Sequence, residues 1–264
     1  MAQLKLVNAV ILYGGANLSG DSNVVNVNLG AQMLNDTVFG DTAESNKAGL
    51  LTAQFGCQGF WNVGSNPDKV DTRLFADQGS DDKVLAIFPD GATEGSVTDR
   101  GYATLVTQAR YSPFNGARHG ALLPYMVDFR TRGRRVVQAS PLKTALNPAS
   151  PITASWTGTA YQIGAITGED LVIPTPQRYL YAGIHVVRAF ADSGFSLAVT
   201  IQSDDNAGFS SPTARVTFAT KTDVGAEYAT RVAGPITDSW WRCNGTLAGV
   251  DASALVLVWM GIAE

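Results

Sequence analysis

The sequence predicts an all-β protein of two β-sandwich or β-barrel domains, the first of which carries one short α-helix. Apolar and polar residues alternate with a period of two, which is typical of strands with one buried face. The 264-residue chain contains 27 glycines and only 16% charged residues, below the roughly 25% of ordinary soluble domains. Together these observations favour short strands, tight turns and a surface that neighbouring subunits cover.

The alternation is clearest in three segments of the first half. Val25, Val27 and Leu29 alternate with asparagines, and the same pattern predicts long half-buried strands at 51–61 and 125–132. Further strands are expected at 83–88, 102–111 and 121–139. The segment 31–50 between the first two strands is expected to be a long loop that can reach a neighbouring ring.

One helix is predicted within this half, over about residues 67–77. Asn66 can cap its first turn, and Pro67 fits the first helical position. Val70 and Leu74 form the apolar stripe of this helix. The first half is therefore expected to be a sandwich or barrel with a single helix.

A proline-rich linker is predicted at 141–155, because PLKTALNPASP has three prolines and no sustained periodicity. It separates a first domain, 1–140, from a second β-sandwich domain, 156–264. Strands of the second domain are expected at 178–189, 195–203, 213–220, 240–248 and 253–262. The apolar run at 254–262 is less than half the length needed to cross a bilayer, so it is interpreted as a buried strand.

The sequence offers little that could carry a reaction. His119 and His185 are the only histidines, and neither lies in a motif that pairs a base with a nucleophile. Cys57 and Cys243 lie in apolar segments and are interpreted as buried free thiols. We therefore expect no catalytic residue, no cofactor, no metal and no enzymatic activity.

Two further features have ordinary structural explanations. The segment Asp204, Asp205, Asn206 resembles the start of a calcium loop but lacks the glutamate at position twelve, so a β-turn is expected. Trp240 and Trp241 could present a sugar-stacking platform, but alternation places only one indole outward and the other in the core.

Arginines form the strongest charge cluster, at Arg130, Arg132, Arg134 and Arg135. On a regular strand the first three would share one face. Three interpretations remain open: a solvated face, a salt-bridging interface with an acidic neighbouring subunit, and phosphate contact. The net charge of −4 disfavours phosphate contact, since it gives no general attraction to nucleic acid. The four arginines are thus candidate subunit-interface residues.

Three segments of the first half read YGGANLSGDSNVVNVNLGAQMLNDTVFGDT, AGLLTAQFGCQGFW and GYATLVTQARYSPFNGARHGALLPYMVDFRTRGRRV. They resemble tail-tube (major tail) proteins of double-stranded DNA bacteriophages, and the resemblance covers about residues 1–140. The second half, with YLYAGIHVV and ALVLVWMGI, is similar to the C-terminal part of phage structural proteins. The similarity rests on pattern and not on a catalytic signature.

The resemblance implies a structural virion protein whose copies form stacked rings, and thereby the tube through which phage DNA passes without specific binding. The rings would be hexamers, or trimers in which both halves imitate six-fold symmetry. Other tail or head proteins are the implied partners, and no membrane is. Because the first residues do not read as a signal peptide, assembly is expected in the host cytoplasm. Capsid decoration, a minor head or tail role and glycan binding are the alternatives.

Overall fold

A computed structural model describes residues 8–38, 42–63, 69–95, 100–168 and 177–264. The elements, in chain order, are β1 (Val10–Tyr13), β2 (Ala16–Asn17), β3 (Ser22–Asn35), β4 (Asn46–Phe60), α1 (Val70–Ala76), β5 (Lys83–Phe88), β6 (Gly101–Pro113), β7 (Pro124–Thr131), β8 (Val137–Ala145), β9 (Tyr161–Gln162), β10 (Tyr179–Phe190), β11 (Ser193–Asp204), β12 (Thr213–Thr217), β13 (Gly225–Tyr228), β14 (Val232–Ala233), β15 (Trp240–Val250) and β16 (Ser253–Ala263). The prediction of an all-β fold with one short helix is confirmed for these residues. None of their helices is long and apolar enough to cross a membrane.

The chain forms two compact units that are each built from separate segments. Unit 1 comprises residues 1–20, 84–104 and 137–264, and unit 2 comprises residues 21–83 and 105–136. The sequence-based domains 1–140 and 156–264 stay a prediction, as does their boundary.

Unit 1 contains two sheets whose facing sides form one core. The larger sheet has the strand order β13-β10-β16-β8-β6-β5-β1-β2, and the smaller has the order β12-β11-β15-β9. Alternate residues of β10 and β16 face alternate residues of β11 and β15, and this core includes Ile184, Val256, Ile201 and Trp241. The predicted run at 254–262 is indeed a buried strand.

The larger sheet of unit 1 curls until its two ends meet. Gly15, between β1 and β2, lies against Gly225 of β13, and a Cβ on Gly15 would come within 2.6 Å of the Gly225 backbone. Gly15 also has a φ of +95°, which glycine adopts without the steric cost of a side chain. A glycine at position 15 thus allows the sheet to approach closure as a barrel.

The proline-rich segment is more regular than its composition suggests. Its first residues, from Pro141 to Ala145, form the end of β8, where an extended connector is predicted. The register between β8 and β16 shifts between Val258 and Trp259, beside Pro141. Because proline has no N–H to donate, it is tolerated in a sheet where the ladder is irregular.

Unit 2 is a sheet with the order β3-β4-β7-β6, covered in part by α1. β6 contributes to both units: residues up to 104 belong to unit 1, and residues from 105 onward belong to unit 2. Its core includes Phe55, Cys57, Val127 and Phe129. Val70 and Leu74 of α1 are fully buried, so the predicted apolar stripe is confirmed. Asn66 and Pro67 lie outside the described residues; the side chain of Asn62 accepts a hydrogen bond from the Val70 N–H at 2.8 Å.

Candidate assembly surface

A two-stranded arm extends from the sheet of unit 2. β7 pairs with β4 only as far as Gln54, and beyond that point β3 and β4 pair with each other alone. We call residues 29–51 the arm. No described residue of the arm is buried. It is therefore a solvated ribbon of a kind that is marginally stable in water without a partner.

The arm carries large apolar side chains on its surface. Their exposed fractions range from 48% at Leu34 to 77% at Leu50. The full set is Leu29, Met33, Leu34, Val38, Leu50 and Leu51. Because single apolar residues are common on surfaces but clusters of them mark interaction sites, this set makes the arm a candidate contact surface.

Hydrogen bonds join the two sides of the arm where its strands end. The Asp36 N–H donates to the Ser45 carbonyl oxygen at 3.0 Å, and the Asn35 amide donates to Glu44 Oε1 at 3.1 Å. Lys47 Nζ lies 2.6 Å from Asp36 Oδ2, and this contact lowers the pKa of the Asp36 carboxyl. Asp36 is therefore a carboxylate at neutral pH.

The long loop predicted at 31–50 is wrong for half of its length. β3 continues to Asn35 and β4 starts at Asn46, so residues 31–35 and 46–50 belong to strands. Apolar residues fall at consecutive positions here, as at Met33 and Leu34, because both faces of the arm are exposed. No period-two pattern arises when neither face is buried.

A cavity of about 410 Å³ opens at the base of the arm. Leu29 and Ala31 are paired with Ala53 and Leu51, so these four side chains share one face and form its apolar floor. Arg134 and Arg135 also line the cavity. The site therefore combines an apolar floor with two cationic side chains, and Arg130 lines an adjoining cavity.

The arginines do not share one strand face as predicted. β7 ends at Thr131, and only Arg130 lies on it. Gly133 has a φ of +56°, which turns the chain out of the extended conformation. Arg132, Arg134 and Arg135 are consequently in the connection to β8.

Arg132 has acidic partners within its own unit. Its guanidinium contacts Asp81, and its Nε lies 3.4 Å from Asp82 Oδ1. Arg132 is thus held in an intramolecular ion pair. Arg130, Arg134 and Arg135 line the two cavities at the base of the arm. Their role as interface residues stays a prediction.

The two histidines are in different environments. His119 lies in the exposed connection before β7. His185 lies on β10 and is fully buried, and its two ring nitrogens have no hydrogen-bond partner among the described residues. Burial lowers the pKa of His185 to about 3. Its imidazole is neutral and stays so at neutral pH.

Both cysteines are buried free thiols, which confirms the prediction. Burial raises the pKa of Cys57 to about 12 and that of Cys243 to about 12. Since the thiolate is the reactive form of cysteine, neither side chain is poised as a nucleophile.

The acidic segment after β11 forms a turn, as predicted. Asp204 Oδ1 accepts from the Asn206 N–H at 3.2 Å, and Asp204 Oδ2 accepts from the Ser211 N–H at 2.9 Å. Asn206 Oδ1 accepts from the Gly208 N–H at 2.9 Å. Within the described ranges no group of three or more His, Cys, Asp or Glu residues could hold a metal ion.

The tryptophan pair on β15 is divided between two faces. Trp241 is fully buried, and its indole donates to the Gly164 carbonyl oxygen at 2.9 Å. Trp240 is half-buried on the other face. The division of the two indoles is as predicted, so they do not form a two-ring stacking platform.

Comparisons with known proteins give only distant structural likenesses. No protein-family model matches the sequence, and no curated protein matches it significantly. The Dit protein of phage SPP1, described as a paradigm of the hub adsorption apparatus in phages infecting Gram-positive hosts, is 8% identical; the match covers 97% of this chain and 99% of that one, at a TM-score of 0.38.

Two baseplate structures show similar likenesses. The baseplate of the anti-feeding prophage is 9% identical, covering 52% of this chain and 98% of that chain, at a TM-score of 0.38. The baseplate of phage p2, in its activated conformation with Sr, is 7% identical, covering 97% and 98%, at a TM-score of 0.32. At these values the likenesses assign neither a family nor a function.

Proposed function

We propose that this chain is a structural protein of a phage tail and that its copies assemble into a ring. The observation that carries the proposal is the arm. Its large apolar side chains are exposed on both faces, and no described residue within it is buried. A set of large exposed apolar side chains on one ribbon favours a permanent partner, because burial removes apolar area from water at about 25 cal/mol per Å².

The edge of β3 adds main-chain groups to this surface. Among the described residues β3 pairs only with β4, and it runs for 14 residues. A long edge with unpaired N–H and C=O groups is a template for pairing with another chain unless it is covered. Contact with a second copy covers it and adds backbone hydrogen bonds.

The finer proposal is a tail tube made of stacked rings. The sequence resemblance to tail-tube proteins extends over the arm and over the strands that support it. Closed rings form when head-to-tail contacts fit the rotation, and contacts between rings then stack them. The net charge of −4 suits a lumen through which DNA slides, because fixed phosphate contacts would retard passage.

The second form of the proposal is a minor tail component, whose copies form a ring that does not stack on other rings. The same arm and the same β3 edge support it, since both features bring copies together laterally. The two forms differ in what the assembled particle looks like: a tube for the tail-tube protein, and isolated annuli for the minor component.

Negative-stain images and light scattering of the purified protein test the proposal. Annuli or tubes with a central hole are expected, and the double variant Leu29→Ser/Leu51→Ser should lose them while keeping its circular dichroism spectrum. Val250→Ser, at an exposed apolar residue of unit 1, is the matched control and should still assemble. Globular monomers of the unaltered protein at millimolar concentration would contradict the proposal.

A further inference from the structure

The chain contains two Asn-Gly pairs, Asn115-Gly116 and Asn244-Gly245. An asparagine followed by glycine is particularly prone to deamidation, because glycine has no Cβ that would shield its backbone nitrogen from the preceding side chain. The first pair lies in the turn that follows β6, and the second lies within β15. The same reactive dipeptide therefore occurs once in an exposed turn and once inside a sheet.

The pair in the turn is not held by hydrogen bonds. Asn115 and Gly116 are both exposed. The Asn115 side chain and the Gly116 N–H form no hydrogen bond with any described residue. The turn is closed by the Ala117 N–H, which donates to the Phe114 carbonyl oxygen at 3.1 Å. The Asn115 side chain can therefore rotate towards the Gly116 nitrogen without breaking a contact of its own.

The pair in β15 is held by hydrogen bonds at both residues. Asn244 Nδ2 donates to Gln202 Oε1 at 2.8 Å, and Asn244 Oδ1 accepts from the Gly158 N–H at 3.1 Å. The Gly245 N–H donates to the Trp156 carbonyl oxygen at 3.0 Å. Attack of the Gly245 nitrogen on the Asn244 side chain would break these bonds. β15 therefore has to open locally before this pair can react.

Deamidation of such a pair needs only its own groups and water. The Gly116 backbone nitrogen gives up its proton and attacks Asn115 Cγ, so that a new N–Cγ bond forms. The Cγ–Nδ2 bond then breaks, and ammonia leaves with that proton. Water adds to either carbonyl of the resulting succinimide ring and opens it to aspartate or isoaspartate. Because the attack is intramolecular, its rate depends on how readily the two atoms approach each other.

We propose that Asn115 is a site of spontaneous deamidation in the folded protein and that Asn244 is protected from the same reaction. The exposed turn lets the Asn115 side chain reach the Gly116 nitrogen, whereas the sheet keeps the corresponding groups of β15 in other hydrogen bonds. The reaction replaces a neutral amide by a carboxylate beside Phe114, whose side chain is 47% exposed. Each molecule that has reacted thus carries an additional negative charge at the turn between β6 and β7.

Peptide mapping of the purified protein after incubation at mildly alkaline pH tests the proposal. Cleavage after arginine and lysine places Asn115 in the peptide 111–118 and Asn244 in the peptide 243–264, and neither peptide has another amide side chain. Mass spectrometry then measures the conversion of the amide to the acid in each peptide. We expect the peptide 111–118 to be converted at least ~tenfold faster than the peptide 243–264, because β15 opens only rarely in the native protein.

Incubation in urea separates protection by the fold from the effect of the dipeptide itself. Both pairs are exposed alike in the unfolded chain, so the two peptides should then be converted at similar rates. A tenfold difference that persists in urea would show that β15 does not protect Asn244, and it would overturn that part of the proposal.

A matched pair of glycine variants tests the attacking atom. Gly116→Ala should slow conversion at Asn115 by at least ~tenfold, because the added Cβ shields the backbone nitrogen. Gly120→Ala is the control: Gly116 and Gly120 both have a positive φ, and a Cβ at either position meets nothing within 4 Å. Gly120→Ala should leave the rate unchanged.

Two results would overturn the proposal for Asn115. One is a rate at Asn115 in the folded protein that is no greater than the rate at Asn244. The other is an equal effect of Gly116→Ala and Gly120→Ala, since the Gly116 nitrogen would then not be the attacking group. The rates are measured on folded protein whether or not its copies form rings, so this test and the test of ring assembly give separate answers.

Discussion

Tyr111 of β6 donates a hydrogen bond from its hydroxyl to Asp71 Oδ1 of α1 at 2.7 Å. Burial, and next the neighbouring carboxylate, raise the pKa of Tyr111, so the phenol keeps the proton that it donates. The bond joins the only helix of the described residues to the sheet of unit 2. Substitution of either residue therefore measures how much this bond contributes to the free energy that holds α1 on the sheet.

We expect Tyr111→Phe to lower the free energy of unfolding by about 1–2 kcal/mol, because the bond has a charged acceptor in a partly buried site. The measurement is urea unfolding of Tyr111→Phe, Asp71→Ala and the double variant. A coupling energy of similar size is expected in this cycle. Losses that simply add would show that the bond contributes nothing.

His185 should make the protein sensitive to acid. Its folded pKa of about 3 lies below the unfolded value of 6.5, so protons bind the unfolded state more tightly. The stability that depends on neutral His185 is complete above pH 6.5 and is lost as the pH falls from about 6.5 to about 3. At one pKa unit per 1.36 kcal/mol, the loss at pH 3 is roughly 4–5 kcal/mol.

Comparison with His185→Leu isolates this effect from the titration of carboxylates. Urea unfolding at several pH values should give a shallower dependence below pH 6.5 for His185→Leu than for the unaltered protein. His119→Leu, in an exposed connection, should retain the original dependence. Parallel curves for all three proteins would show that His185 is not the group responsible.

Gly245 of β15 leaves room for the ring of Trp156. A Cβ at position 245 would come within 2.0 Å of the indole, whose Nε1 donates to the Cys243 carbonyl oxygen at 3.1 Å. Gly245→Ala should therefore cost about 2–3 kcal/mol, the range of an overpacked core. Gly225→Ala, on β13, is the control, since a Cβ there meets nothing within 4 Å.

A second substitution tests the cause of that loss. In a Trp156→Leu background, Gly245→Ala should cost less than half as much, because the smaller side chain leaves space for the methyl group. Differential scanning calorimetry of the four proteins gives the comparison. An equal cost in both backgrounds would mean that backbone conformation, not the indole, requires glycine at this position.

The thiols of Cys57 and Cys243 should not react with thiol reagents in the native protein. Both are buried with pKa values of about 12, so the reactive thiolate is scarce and shielded at pH 8. Ellman's reagent should detect no thiol before denaturant is added and two afterwards. An Ala214→Cys variant, at an exposed position of β12, should add one thiol that reacts at once. Rapid reaction of the unaltered protein would indicate local opening.

Most strands of this fold could be predicted because one of their faces is buried. Ala53, Phe55 and Cys57 of β4 are buried in alternation, and the same pattern located β7. β16 is buried on both faces and was instead predicted from a continuous apolar run. α1 could be predicted for a similar reason, since Val70 and Leu74 lie one turn apart on a single buried face. Burial on one side is what makes periodicity visible.

The candidate site was harder to predict because it lacks that asymmetry. Along the arm, Met33 and Leu34 are both exposed, so no period-two pattern marks the strands there. Arg134 and Arg135 line the cavity after the chain turns at Gly133. The positive φ of Gly133 could not be predicted from the sequence. Consecutive exposed apolar residues between two strong strand patterns were the available signal for a protruding hairpin.

Compact units that are built from separate segments also cannot be predicted from composition along the chain. The composition change that suggests a boundary lies at the prolines between 141 and 151, of which the first, Pro141, is part of β8. Similarly, the unpaired nitrogens of His185 depend on side chains that are distant in sequence. Both features depend on which strands become neighbours.

The position of β16 between β10 and β8 has a consequence for synthesis on the ribosome. Both segments of unit 2 have been translated once residue 136 is made, whereas the larger sheet of unit 1 lacks a central strand until residues 253–263 emerge. The nascent chain can thus display a finished arm while the other unit is still incomplete.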